Sequence, residues 1–340
     1  MNIRYYYENM SKIQQEAYHA IRKGLMELAP SFAVPRLEQH ELSDIFFKLR
    51  LDCPEIFYAT GFRYKFYAEA SNVEFIPQYL FDKGKIKEHQ AAMEGRINRL
   101  ARQIQELKTE VDKEKFIHDF ICTQVHYDKL KKPYSHEIIG PLGHGVGVCE
   151  GMAKTVKVLC DRVGIWCIIA ISEACPEKDI KYRHAWNVIK IGGQYYHLDT
   201  TFDNTVSKCG TLRYDYFNLP DKYIYRDHEP VITRVPECNN SEHFYYKEKK
   251  ISFTKIEDVE KRAAQAVKKK KPFLFHWRGG YLTKEVLGEL LDILERAARE
   301  KERHARISLN LAQAVIMADF LETAATDDII MENVDESQSD

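Results

Sequence analysis

Over the first 110 residues, apolar side chains recur at helical spacing across Tyr5 to Leu28 and Glu38 to Leu51. Across 52–81 they break into short runs between turn residues, the pattern of strands. From Lys83 the helical period returns. Met93, Ile97, Leu100, Ile104 and Leu107 step by four, three, four and three, which is one buried helix face. A second helix is marked by Phe116, Ile117, Phe120 and Ile121 and ends near Tyr127–Asp128; a glycine-rich loop containing Pro141 follows. After Cys149, apolar residues fall at Met152, Val156, Leu159 and Val163, again at helical steps. Ile165 to Ile171 is a continuous apolar run, read as a buried strand, and two hairpin strands come next. Beyond 240 the pattern predicts strand (Tyr246 to Phe253), helix (Ile256 to Lys270), strand (Pro272 to Trp277), helix (Thr283 to Glu302) and strand (from Arg306).

These periods divide the 340 residues into a helical and β region (1–110), a central core (111–235), a small α+β unit (240–325) and an acidic tail (326–340) expected to be disordered. The chain is 44% hydrophobic and 30% charged, an ordinary globular composition. Lys+Arg is 50 and Asp+Glu is 51, so the net charge is −1 and no nucleic-acid partner is expected. The run Lys268 to Lys271 reads as a solvated helix end. No apolar stretch is long enough for a membrane span, and the N-terminus lacks the apolar region of a secretory signal. The eight cysteines show no paired C-x-x-C spacing; Cys160 and Cys167 lie in apolar runs as reduced core residues. A cytoplasmic location is expected, and neither metal nor cofactor.

The chemistry centres on Cys149. Its position in the first turn of a buried helix lets the positive end of the helix dipole favour a thiolate. The unpaired N–H groups of that turn can serve an oxyanion. Gly145, Gly147 and Gly151 suit close approach of a substrate backbone. His136 and His144 precede the cysteine and read as loop or structural histidines.

A base comes from the second cluster. Gly192–Gly193 is a two-residue hairpin turn that pairs Ile191 with Gln194. Extending this register puts His184 opposite Thr201 and Trp186 opposite Asp199, so His184 and Asp199 are diagonal neighbours on one face. Asp199 can then orient the imidazole, and Trp186 can shield the pair. Asn187 falls on the opposite face, Asp203 lies beyond the strand, and His197 sits nearer the turn as packing or surface. Cys149, His184 and Asp199 supply a thiol, a base and an orienting acid. There is no G-x-S-x-G elbow, phosphate loop, H-E-x-x-H or EF-hand loop.

The stretches GVCEGMAKTVKVLCDRVGI, HAWNVIKIGGQYYHLDTTFD and YDYFNLPDKYIYRDH together resemble the core of the transglutaminase-like superfamily, over about residues 112–230. The similarity is greatest to bacterial proteins with a helical and β region before this domain. The resemblance implies an α+β, papain-like core in which the nucleophile helix packs on an antiparallel sheet. It carries the family's nucleophile, histidine and acid onto Cys149, His184 and Asp199. It implies acyl transfer from amide or peptide carbonyls of a protein or peptide substrate. The acceptor is water (a peptidase or amidase) or an amine (a transglutaminase), with hydrolysis favoured. The alternative is a binding protein that keeps the fold without turnover. Tyr127 is a guess for a second oxyanion donor. Some family members need calcium, but no calcium loop is legible here.

Overall fold

The computed structural model describes residues 3–67, 69–178, 180, 183–207, 211–323 and 329–331. The first expected helix is two: α1 (Tyr5–Glu8) and α2 (Lys12–Met26). The break falls where Gln14 Oε1 accepts from the Ser11 N–H at 3.0 Å and starts the second helix. Next come β1 (Phe32–Pro35), α3 (Gln39–Asp52), β2 (Ala59–Phe66) and β3 (Asn72–Tyr79). The strands form an antiparallel sheet in the order β1-β3-β2, of which β1 lies outside the expected strands. Helix α4 (Lys83–Gln105) buries Met93, Ile97 and Ile104 as its spacing predicts.

The central part holds α5 (Glu110–Gln124), the two-residue parallel pair β4 (His126–Tyr127) and β5 (Val146–Gly147), and α6 (Cys149–Val163). A four-stranded antiparallel sheet follows, in the order β6 (Cys167–Ile171), β7 (Ala185–Ile191), β8 (Gln194–Leu198) and β9 (Phe217–Leu219). Two short helices, α7 (Thr200–Val206) and α8 (Asp221–Ile224), flank β9. Gly192 and Gly193 both have positive φ, and the hairpin register is the expected one, from Ile191–Gln194 to Asn187–Leu198.

Helix α6 is buried almost all round because its two lysines are matched inside the protein. Lys154 Nζ lies 2.9 Å from Glu137 and 2.7 Å from Glu150. Lys157 Nζ donates to the Ile3 and Cys167 carbonyls and pairs with Asp161 at 2.8 Å. Arg50 of α3 also meets Glu137 and Glu150. Apolar residues of the N-terminal region and of α6 belong to one core, in which Ile21, Phe57 and Phe75 join Met152, Val156 and Leu159.

In the last part, the strand expected over Tyr246–Phe253 is instead α9 (Tyr245–Glu248) and the two-residue β10 (Ser252–Phe253). The Tyr246 hydroxyl is drawn inward to Asp215 Oδ1 at 2.5 Å, and Lys250 turns the chain with φ 56°. Then come α10 (Ile256–Lys268), β11 (Phe273–Trp277), α11 (Lys284–Arg299), β12 (His304–Asn310) and β13 (Val315–Leu321). Within the segment read as a disordered tail, β14 (Ile329–Met331) pairs in parallel with β12; the rest of 326–340 lies outside the described residues. The sheet order is β10-β11-β13-β12-β14.

This sheet shares a core with the central one. Leu274 and Val315 pack with Ile168 and Trp186. Buried polar bonds cross the same seam: Arg213 to Ser308, Asn310 to Asp215, and Gln313 to Asp227. Lys269–Lys271 are exposed past the end of α10. The seven described cysteines are free; Cys209 lies outside the described residues. Among the described residues, no helix is long and apolar enough to cross a membrane.

Candidate active site

Cys149 is the first residue of α6 and is 9% exposed. Val148 precedes it as N-cap and has no side-chain acceptor, and no side chain among the described residues caps the first turn. The 15-residue helix therefore directs uncapped N–H groups and its positive end toward the thiol.

The glycines before and after Cys149 do a different job from the one expected. Gly145 has φ 67° and turns the chain into β5. A Cβ on Gly151 would stand 2.2 Å from the Ser135 carbonyl oxygen, and one on Gly147 would strike the Pro141 ring. The close approach at these two positions is therefore to the protein's own loop, not to a substrate backbone. Val148 N–H donates to the same Ser135 oxygen at 3.0 Å, which fixes that loop against the start of α6.

Glu150, the residue after Cys149, is turned away into the charge cluster. Burial opposes its ionisation, but Lys154, His136 and Arg50 outweigh this and hold its carboxyl well below the ordinary range. His136 touches Glu150 at 3.4 Å, and the ring of His144 lies 4.6 Å from that of Tyr134. Tyr127 sits in β4, paired with Gly147 two residues before Cys149.

Cys149 packs in a small apolar cluster with Tyr6, Leu51, Ala153, Ile169, Ile171 and Ala185. Ala185 follows His184 directly, so the start of β7 is brought to the start of α6. His184 Nε2 meets Asp199 Oδ2 at 2.6 Å, the contact the hairpin register predicts. The detail differs from an extended ladder. Pairing stops at Asn187–Leu198, and Asp199 is the N-cap of α7. Its Oδ1 accepts from the Thr201 and Phe202 N–H groups at 2.8 and 3.1 Å, which turns Oδ2 toward the imidazole. Thr201 consequently lies in the helix, not opposite His184. Trp186 stacks on His184 with ring centres 5.8 Å apart and is buried, the shielding role expected of it.

His228 is the residue that sequence reasoning left without a role. Its Nε2 meets the same Asp199 Oδ2 at 2.8 Å, and its Nδ1 meets Asp227 Oδ1 at 2.8 Å. A carboxylate only accepts, so each ring nitrogen must carry a proton, and His228 is an imidazolium. Burial disfavours that charge, but Asp199 and Asp227 raise its pKa above the ordinary value. For Asp199, burial is likewise outweighed by His184 and His228, which hold its carboxyl well below the ordinary range. Tyr216 and Gln313 donate to Asp227 at 2.6 and 3.1 Å, so the last part of the chain supports the far end of this relay. The signal was the Arg226-Asp-His pattern at the end of the third sequence block; its partner is 29 residues away and no local period points to it.

The rejected rivals are placed elsewhere. Asn187 Nδ2 donates to the Ala153 carbonyl at 3.0 Å and ties β7 to α6. Asp203 holds His118 of α5 at 3.0 Å. His197 is buried; its Nδ1 accepts the Trp186 indole N–H at 2.9 Å, so its Nε2 carries the proton facing Asp221 at 2.7 Å. Among the described residues, two sets of three side chains bring one possible metal-ligand atom from each member within 4.8 Å of the others: His184, Asp199 and His228, and His197, Asp221 and Cys238. In both, the histidine nitrogens and carboxylate oxygens nearest one another are already joined by the hydrogen bonds above.

A buried thiol at an uncapped helix N-terminus, beside an antiparallel sheet bearing a carboxylate-held histidine, defines a class of α+β cores. Residues 98–200 match the family model described as the transglutaminase-like superfamily. The match spans Cys149, His184 and Asp199. No curated protein matches the chain. Among solved structures, it is similar to a protein of Cytophaga hutchinsonii provisionally named a cysteine protease, at 14% identity and a TM-score of 0.28, over 42% of this chain and 61% of that one. It is also similar to a protein described as a TGase, at 10% identity and 0.28, over 50% and 51%. A provisionally named protease from Parabacteroides distasonis is similar at 13% and 0.23, over 42% and 40%. The alignments thus span about three fifths, half and two fifths of those three chains.

Proposed function

We propose that the protein is a thiol acyl-transfer enzyme acting on amide or peptide carbonyls, with water as the favoured acceptor. Cys149 gives its thiol proton to His184 as its sulfur bonds to the carbonyl carbon, and the oxyanion is held by first-turn N–H groups of α6. The C–N bond then breaks, and His184 gives its proton to the leaving amine. Water, deprotonated by His184, cleaves the thioester and restores the thiol. With Nε2 committed to Asp199, Nδ1 is the nitrogen that serves the sulfur. The observation that carries this reading is the 2.6 Å bond between His184 and Asp199, delivered next to the uncapped N-terminus that bears Cys149.

The test is labelling with a thiol-directed acylating probe, read by mass spectrometry on wild type and Cys149→Ala. Wild type is expected to be labelled at Cys149, and the variant to lose that label together with all amide cleavage. Equal labelling of the two proteins would remove the assignment. Adding a primary amine to the same assay separates the acceptors: an amide product in place of free acid marks the transglutaminase alternative.

His228 acts in this scheme as a positioning residue. Its positive charge shares Asp199 with His184 and lowers the support Asp199 gives to a protonated His184. His228→Gln, which keeps a donor toward Asp199, is expected to move the alkaline limb of the kcat/KM profile to higher pH by about one unit. An unchanged limb would mean that His228 serves packing alone.

A further inference from the structure

A cavity of about 670 Å³ lies between α8 of the central part and the turn that follows β11. Its wall carries three cationic side chains, Lys222, Arg226 and Arg278, and no carboxylate. Among the described residues none of the three is in an ion pair. On a chain with net charge −1, this is a local concentration of unmatched positive charge.

The site is built and not merely charged. The Arg226 guanidinium lies 4.3 Å from the Tyr223 ring centre and donates to the Ala312 carbonyl at 3.2 Å, so it is held before any ligand arrives. Leu282 and Thr283 close the cavity edge at the start of the 16-residue α11, where Thr283 Oγ1 caps the helix by accepting from the Val286 N–H at 3.3 Å. Trp277 is 4% exposed and lines the same wall, yet its indole N–H has no acceptor among the described residues. Beside it, burial together with Arg226 and Arg278 pushes the His276 imidazole down to about 4, as a converging positive field requires. Gly280, with φ 115°, shapes the turn that presents Tyr281, whose ring is 94% exposed.

We propose that this cavity binds a small phosphorylated ligand of the nucleotide type, its phosphates on Lys222, Arg226 and Arg278 and its planar ring on Tyr281. Guanidiniums match phosphate oxygens in pairs, and an exposed aromatic face stacks on a base without reading its identity. The site is distinct from Cys149, but the two share a segment. Gln313 Nε2 donates both to the Tyr223 carbonyl at 3.1 Å and to Asp227, the residue that holds His228. A ligand settled against Tyr223 and Arg226 therefore sits at the outer end of the relay that reaches Asp199.

The test is isothermal titration calorimetry of the full chain with ATP and, separately, with inorganic pyrophosphate; no turnover is needed. Wild type is expected to bind both, and ATP more tightly. Arg226→Gln with Arg278→Gln should weaken both by roughly tenfold or more per guanidinium removed. Tyr281→Ala should weaken ATP and leave pyrophosphate unchanged. Should the double variant lose its far-UV circular dichroism, Arg278→Gln alone, at an exposed side chain, gives the same reading. Absence of binding to wild type, or equal binding by the arginine variants, overturns the proposal; pyrophosphate binding without ATP binding overturns the place given to the ring.

Discussion

Asp199→Asn should lower kcat/KM by about 10³ to 10⁴-fold while moving KM by no more than about a few-fold. Asp199 serves four N–H donors at once: two backbone amides through Oδ1, and two histidine rings through Oδ2. Asparagine keeps one acceptor oxygen and puts an amide donor in place of the other. If the oxygen stays on the start of α7, the amide nitrogen faces two N–H groups and repels both. If the side chain flips, α7 loses its cap, which costs about 1 kcal/mol. In the first case His184 is no longer held in the tautomer that serves the sulfur; in the second a neutral oxygen still accepts from its Nε2 but gives an imidazolium no charge support, and in both His228 keeps its charge with only Asp227 to match it. Steady-state kinetics on an amide substrate, with thiol labelling as control, checks this. Full activity in Asp199→Asn would mean that the carboxylate only caps the helix. The same group sets an acid limit. Because its pKa is depressed on folding, its contribution to stability is complete above the ordinary carboxylate range and is lost as pH falls through that range and below it.

Glu114→Gln should stabilise the protein, by an amount that grows with pH. Glu114 is fully buried on α5, and burial pushes its carboxyl up to about 8 against the pull of Asn218. Its Oε2 accepts from Asn218 Nδ2 at 2.9 Å, while Glu114 Oε1 and Asn218 Oδ1 have no partner among the described residues. Protonation resolves this: Oε1 becomes a donor, Oδ1 is the matching acceptor, and acid and amide form a two-bond pair. Glutamine offers the same donor and acceptor at every pH. In the wild type the folded state keeps its proton up to about pH 8, whereas the unfolded chain loses it near 4.5. Between those values the folded state binds more protons, so stability falls as pH rises. The gap in unfolding free energy between variant and wild type should widen by about 4 kcal/mol from pH 4 to pH 8, read by urea denaturation. A gap independent of pH would show that Glu114 is ionised in the folded protein.

These two sites also mark how far a sequence alone can be read. The Cys149 helix and the His184 strand announce themselves through local periods, and Gly192–Gly193 sets a register that carries over every rung of the ladder. Asp199 is reached by the same arithmetic although the ladder has ended, because the cap and the next rung happen to fall on one residue. The capping role was legible in principle: Asp followed by Thr-Thr-Phe-Asp is a helix start, but it competes with the reading of a continuing strand. His228 and Asn218 could not be found this way. Each meets its partner through tertiary packing, 29 and 104 positions away, and neither contact leaves a period in the chain. The strand expected at Tyr246 failed for a similar reason: a buried hydroxyl bond to Asp215 outweighs a local β preference.

Lys157 Nζ reaches the carbonyl of Ile3, and Gln313 reaches Asp227 from the opposite end of the chain. The segment that carries the family resemblance is thus not a cassette. Cut out at 98 and 200, it would take from Lys157 the Ile3 carbonyl it donates to, and from Asp199 both His228 and the two N–H groups of α7 that hold its other oxygen. Sequence added or removed on either side of this core therefore changes buried contacts, as a core substitution does, and is not the exchange of an appendage.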